Sequence, residues 1–121
     1  MAHILIVDDS LPEVQALQEI LINYGHQIST ANSGEQALAQ IQQHRPDLVL
    51  MDIVMPGMNG FQATRRINRD PATSAIPVIM VTTKDQETDR IWGLRQGARD
   101  FITKPVDEQE LLTKITFLLK G

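Results

Sequence analysis

The chain has 121 residues, no cysteine and a formal net charge of −4 at pH 7. This length suits one domain around one core, and the lack of cysteine excludes disulfides and thiolate metal sites. Scattered Lys and Arg in an acidic chain argue against nucleic-acid binding. The apolar run at 4–7 is too short for a signal peptide. We therefore expect a cytoplasmic protein with one domain over 1–121, no output domain and no membrane contact.

Short apolar runs alternate with helical patterns along the whole chain. The runs predict strands at 4–7, 28–31, 48–51, 78–81 and 101–103. Apolar residues at helical spacing predict helices at about 12–24, around 37–41, at about 61–68 and 86–96, and after the cap Asp107. Gly25, Pro46, Pro71 and Gly97 mark the ends of the first four helices.

Five strands alternating with five helices indicate a parallel sheet, because parallel strands need crossover connections. With right-handed crossovers, we predict a flavodoxin-like (βα)5 doubly wound α/β fold with strand order 2-1-3-4-5. Its ligand crevice lies between strands one and three, beyond their carboxyl ends. Asp8 and Asp9 follow strand one and Asp52 follows strand three, so these three acids are expected to meet there.

The chemistry expected of three neighbouring carboxylates is that of a cation site. Each pair at about 4 Å repels by roughly 4 kcal/mol at an effective dielectric near 20, and a hard ion such as Mg²⁺ relieves this repulsion. Asp52 is then placed to attack a phosphorus atom and form an aspartyl-phosphate. Thr82 after strand four and Lys104, next to Pro105 after strand five, supply a hydroxyl and an ammonium at the same edge.

Together these motifs resemble the receiver domain of bacterial two-component systems over the whole chain. The resemblance implies that Asp9, Asp52 and the backbone carbonyl of Val54 bind Mg²⁺, with Asp8 assisting through water. It also implies that Asp52 takes phosphate from a sensor histidine kinase, and that the protein catalyses only its own phosphorylation and dephosphorylation. The segments 51–65 and 81–108 look more narrowly like stand-alone regulators of type IV pilus twitching motility, relatives of the chemotaxis regulator.

A switch and an output surface are expected from the same resemblance. Thr82 and Phe101 occupy the switch positions, and Phe101 lacks the hydroxyl of the Tyr found in many receivers. Phosphorylation is expected to change a partner face formed by Ile91, Trp92, Arg95 and Phe101. A downstream protein of unknown identity would bind this face. In the alternative, the chain drains phosphate from a sister regulator. We expect the chain to be a monomer.

Two further expectations concern individual side chains. Val54 and Lys84 stand where chemotaxis relatives tend to carry polar and acidic groups, so we predict a long-lived aspartyl-phosphate. His3, His26 and His44 have no spacing that brings them together, and we interpret them as surface or packing residues.

Two other function classes share parts of this pattern. A Mg²⁺-dependent phosphatase of the haloacid-dehalogenase type also uses an Asp nucleophile at a strand end, but after strand one in an Asp-x-Asp pattern. Here Asp8 and Asp9 are adjacent and Ser10 follows. A flavodoxin-like mononucleotide binder needs a hydroxyl- and Gly-rich loop after strand one, where acids would repel the phosphate.

Overall fold

The computed structural model describes residues 2–83 and 87–120. Five parallel strands form one sheet in the order β2-β1-β3-β4-β5, which confirms the predicted topology. The strands are β1 (His3–Val7), β2 (Gln27–Ala31), β3 (Leu48–Asp52), β4 (Val78–Thr82) and β5 (Asp100–Thr103). The helices are α1 (Leu11–Asn23), α2 (Gly34–Gln43), α3 (Gly60–Arg69), α4 (Glu87–Arg95) and α5 (Glu108–Lys120). Residue 86, the predicted start of the fourth helix, lies outside the described residues.

The two apolar faces of the sheet are covered by different helices. On one face the core includes Val14, Leu17 and Leu21 from α1 and Leu111, Leu112 and Ile115 from α5. On the other it includes Ala37 and Ile41 from α2 and Ala63 and Ile67 from α3. Every residue of β3 and β4 is buried, because central parallel strands are covered on both sides. Burial on both sides explains why the sequences of β3 and β4 are apolar almost throughout.

Both central strands extend one residue beyond their predicted ends. Asp52 is the last residue of β3 and Thr82 the last residue of β4. Asp52 is paired with Val81 in the parallel register. The backbone of a rigid ladder therefore holds the Asp52 carboxylate at the carboxyl edge of the sheet, close to the end of β4.

The loop after β3 is anchored to the start of α3. The Asn59 side chain accepts from Gln62 N and the Gln62 side chain accepts from Asn59 N, both at 2.9 Å, which forms a capping box. Gly60 N donates to the Ile53 carbonyl at 2.9 Å. An ideal Cβ on Gly60 would lie only 2.0 Å from the Asp52 carbonyl oxygen. The loop thus returns so closely to the end of β3 that no side chain fits between them.

None of the helices in the described ranges combines the length and apolar character needed to span a lipid bilayer.

Candidate functional site

The carboxyl ends of β1 and β3 bring Asp8, Asp9 and Asp52 together. One carboxylate oxygen from each residue lies within 4.8 Å of the others. Asp8 and Asp52 are buried, with 4% and 8% of their surfaces exposed, whereas Asp9 faces solvent. The acids expected at the crevice are therefore neighbours in the fold.

The Lys104 ammonium faces two of these acids. Its Nζ lies 2.9 Å from Asp8 Oδ2 and 3.5 Å from Asp52 Oδ1, and it also contacts Glu13 Oε2. The Lys104 backbone N–H donates to the Thr82 carbonyl at 2.7 Å, which ties the loop after β5 to the end of β4. The Lys104-Pro105 peptide bond is cis. The hydrogen bond between Lys104 and Thr82 holds the residue that carries this ammonium beside the end of β4, next to the acids.

The electrostatics of the crevice reflect crowding of like charges away from solvent. Burial and then the Asp8 charge raise the pKa of the Asp52 carboxyl, Lys104 and the Ile53 backbone lower it, and the net result is a pKa of about 6. Burial lowers the pKa of Lys104, but hydrogen bonds to Glu13 and Asp8 and the charges of Asp52 and Asp8 leave that pKa above its usual value. A second cation near Asp52 would therefore be stabilised.

The donor set fits a magnesium ion. Carboxylate oxygens are hard ligands, and Mg²⁺ prefers one or two of them together with several waters. Asp8 Oδ1 accepts from Ser10 N at 2.9 Å and Oδ2 accepts from Lys104, so both of its oxygens already have partners within the protein. Asp9 is exposed. The pattern favours Asp9 and Asp52 as direct ligands, with Asp8 contributing charge.

Thr82 and Phe101, the two predicted switch residues, lie on the neighbouring strands β4 and β5. Thr82 is 1% exposed and is paired with Thr103 in the register between β4 and β5. Phe101 is paired with Met80 and is only 3% exposed. The Phe101 ring therefore belongs to the core in this conformation. A partner protein could contact the ring only after it moves outward.

The remaining members of the predicted partner face are accessible. Ile91 and Trp92 are 45% and 49% exposed, and Arg95 is also exposed. These three lie on α4, while Arg90 on the same helix stands 5.7 Å from the centroid of the Phe101 ring. The accessible part of the predicted face is thus a partly apolar surface of α4, and this helix lies close to Phe101, the predicted switch residue.

Of the two residues expected to set the phosphate lifetime, the structure describes one. Val54 lies two residues beyond β3 and its side chain is 58% exposed, so an apolar group stands at the rim of the crevice. Lys84 lies outside the described residues.

Two side-chain arrangements differ from the expectations. The rings of His3 and His44 lie with centroids 4.6 Å apart, so these two histidines meet in a packing contact although their spacing in the sequence did not predict one. Their contact joins β1 to the residue after α2, which sequence spacing does not reveal. The contact between Glu13 and Lys104 was also missed, because an acid in the first turn of a helix has an ordinary explanation in the helix dipole.

Comparison with known proteins identifies the class of protein. Residues 4–116 match the family model of the response regulator receiver domain. The chain belongs to this family, which confirms the resemblance noted in the sequence and gives no support to the phosphatase alternative.

Individual relatives agree with the family assignment. The chain is 60% identical to protein PilH of Pseudomonas aeruginosa over 121 residues, all of both chains. It is similar to the crystal structure of a putative response regulator from Chloroflexus aurantiacus, with a TM-score of 0.96, 32% identity and coverage of 99% and 98% of the two chains. It is also similar to the chemotaxis protein CheY4 of Vibrio cholerae, with a TM-score of 0.91, 30% identity and 98% coverage of both.

Proposed function

We propose that the protein accepts a phosphoryl group on Asp52 from a sensor histidine kinase in the cytoplasm. The observation that carries this proposal is the surroundings of Asp52: a carboxylate oxygen of Asp8 and one of Asp9 lie within 4.8 Å of an Asp52 oxygen, and the Lys104 ammonium lies 3.5 Å from Asp52 Oδ1. A carboxylate in such a place is a nucleophile with a counter-charge ready for the incoming phosphate.

The transfer uses groups of this chain at defined positions. A carboxylate oxygen of Asp52 attacks the phosphorus of the phosphohistidine, the new P–O bond forms, and the P–N bond breaks. The imidazole leaves with the electron pair of that bond and takes up a proton. Lys104 donates a charge-assisted hydrogen bond to an equatorial phosphoryl oxygen, and the Thr82 hydroxyl donates to another.

Mg²⁺ is the cofactor that we propose for this step. Asp9, Asp52 and the Val54 carbonyl would hold it, with Asp8 contributing charge next to them. When bound, the ion neutralises charge on the phosphoryl oxygens during the transfer. Hydrolysis of the aspartyl-phosphate then completes a cycle in which the protein catalyses only its own modification.

Labelling by a small phosphodonor tests the proposal. We expect acetyl phosphate with Mg²⁺ to modify the protein to one phosphoryl group per chain, and EDTA to prevent the reaction. Asp52→Asn should abolish labelling and keep the fold, because the amide has the same shape but is a poor nucleophile. Labelling that persists in this variant at another residue would refute the assignment, and continuous release of phosphate would indicate a turnover phosphatase instead.

The pathway that we propose is a chemotaxis-like one that controls twitching motility. The 60% identity to protein PilH over both full chains supports this proposal, together with the narrower resemblance in segments 51–65 and 81–108. The chain either signals to a downstream protein or drains phosphate from a sister regulator. Phosphotransfer profiling against the purified histidine kinases of the source cell would identify the donor.

For an output by binding, we propose the surface of Ile91, Trp92 and Arg95 as the partner face, extended by Phe101 after phosphorylation. Aromatic and Arg side chains at half-exposed positions are common anchors of interfaces. Trp92→Ala and Arg95→Ala should each weaken partner binding while Asp52 is still labelled. If both variants leave partner affinity unchanged, the partner uses another surface.

A further inference from the structure

Glu13 is a third acid in contact with Lys104, in addition to Asp8 and Asp52. It lies in the first turn of α1, its side chain is 38% exposed, and its Oε2 contacts the Lys104 Nζ. Acids at this position of a helix commonly stabilise the helix dipole. Here the carboxylate also reaches the loop that follows β5 and binds Lys104, which lies near Asp52.

The donors of the ammonium are limited in number. A lysine has three N–H groups, and the nearest acceptors of Lys104 are Asp8 at 2.9 Å and Glu13, whereas Asp52 lies at 3.5 Å. A phosphoryl group on Asp52 requires a strong hydrogen bond from this same ammonium. The phosphoryl oxygens and the Glu13 carboxylate would therefore compete for the same N–H donors of Lys104.

We propose that Glu13 is a positioning residue, which engages the Lys104 ammonium in competition with a phosphoryl group on Asp52 and so weakens the binding of that group in the crevice. This inference rests on the proposed function, because it assumes that Lys104 binds the phosphoryl oxygens. Glu13 acts through Lys104 and does not touch the reacting atoms. Loss of its contact should favour the phosphorylated state.

Three variants distinguish an effect of the contact between Glu13 and Lys104 from a general effect of negative charge in the first turn of a helix. Glu13→Gln keeps the size of the side chain and removes its charge. Glu13→Asp keeps the charge in the first turn of α1 but is one methylene shorter, so its carboxylate is drawn back from Lys104 and the contact should weaken. Glu110→Gln is the matched control, because Glu110 lies in the first turn of α5 and pairs with Lys114 at 3.4 Å.

The measurement is the affinity of the full chain for beryllium fluoride in the presence of Mg²⁺, by isothermal titration calorimetry. The fluoroberyllate anion binds an aspartate carboxylate as a mimic of its phosphorylated form. We expect Glu13→Gln and Glu13→Asp each to bind it about three-fold more tightly, about 0.7 kcal/mol at 1.4 kcal/mol per ten-fold, which is the size of a partly exposed ion pair. Glu110→Gln should bind it as the wild type does.

The outcomes distinguish failure of this inference from failure of the proposed function. An unchanged affinity in Glu13→Gln overturns the inference. Tighter binding by Glu13→Gln with wild-type binding by Glu13→Asp also overturns it, because the charge in the first turn would then act without the contact. A wild-type protein that neither binds beryllium fluoride nor is labelled at Asp52 by acetyl phosphate refutes the proposed function itself.

Discussion

The Lys104 ammonium lies 2.9 Å from the Asp8 carboxylate, and the two side chains are only 10% and 4% exposed. This pair supplies much of the charge balance of a crevice that also contains Asp52. Removal of one partner from a buried ion pair costs more than the pair contributes, because the remaining charge keeps its desolvation penalty.

Lys104→Met should therefore destabilise the protein strongly when Mg²⁺ is absent. We expect a loss of about 2–3 kcal/mol in the free energy of unfolding at pH 7.5, measured by urea denaturation in EDTA. Mg²⁺ should restore part of this loss, because the ion replaces the missing positive charge.

Lys114→Met is the control for that experiment. Lys114 pairs with Asp100 at 3.1 Å and is 24% exposed, so we expect its removal to cost about 1 kcal/mol or less, with no dependence on Mg²⁺. An equal response of both variants to Mg²⁺ would contradict the assignment of Lys104 to the crevice.

The second prediction concerns the pH dependence of stability in the metal-free protein. The pKa of Asp52 is about 6 in the fold and 3.8 without its environment. Below pH 4 the carboxyl is protonated in both states, and between pH 4 and 6 only the folded state retains the proton. The contribution of Asp52 to stability therefore falls as pH rises through this window.

Asp52→Asn should remove this pH-dependent loss. The difference between the two pKa values corresponds to at most about 3 kcal/mol, and solvent screening reduces it, so we expect a gain of about 1–2 kcal/mol at pH 7.5 and none at pH 4. Glu19→Gln removes an exposed charge from α1 and should show no such difference. Equal behaviour of the two variants in urea titrations at both pH values would refute the prediction.

Local patterns in the sequence predict the central strands and the order of the sheet. The apolar run before Asp52 predicted a central strand, since a strand covered on both faces must be apolar throughout. The strand order then followed from crossover geometry, and it placed Asp8 and Asp52 side by side. These features depend on periodicity and topology, which the sequence contains directly.

Contacts that depend on the reach of individual side chains were not predictable in the same way. Glu13 meets Lys104 across 91 positions of the sequence, and His3 stacks near His44 across 41. Both contacts depend on how helices and loops are placed over the sheet. The burial of Phe101 is a similar case, because the sequence places it on a short strand but does not say which face α4 covers.

The third prediction uses two glycines with opposite surroundings. A Cβ on Gly60 would lie 2.0 Å from the Asp52 carbonyl oxygen and 2.9 Å from the Ile53 Cα. These backbone atoms can move only if the loop moves, so we expect Gly60→Ala to lower the free energy of unfolding by about 2–3 kcal/mol. Because Asp52 would shift as well, labelling by acetyl phosphate should slow by at least about ten-fold.

Gly93→Ala is the contrasting variant. Its Cβ would lie 3.4 Å from Met80 Cγ and 3.5 Å from Phe101 Cε2, which are ordinary contacts. Within α4, alanine favours the helix over glycine by up to about 1 kcal/mol, so stability should rise and labelling should persist. Thermal denaturation and labelling of both variants check the pair, and a destabilised Gly93→Ala would show that α4 packs more tightly over β4 and β5 than these distances indicate.

The last prediction concerns the lifetime of the aspartyl-phosphate. Val54 stands at the rim of the crevice with 58% of its surface exposed, and its side chain offers no hydrogen bond to an attacking water. Lys84, which follows Thr82 by two positions, carries a cation that cannot accept one. We therefore expect slow autodephosphorylation.

Substitution of both residues by groups that orient water should shorten this lifetime. We expect Val54→Asn combined with Lys84→Glu to speed the loss of phosphate by about ten-fold or more, about 1.4 kcal/mol off the barrier, with Val54→Asn alone giving part of the effect. A regulator that drains phosphate needs rapid turnover, so a slow site would require a separate phosphatase for that role. Decay of the labelled protein in Mg²⁺ checks both points: wild-type loss within seconds, unchanged in the double variant, would mean that these side chains do not set the rate.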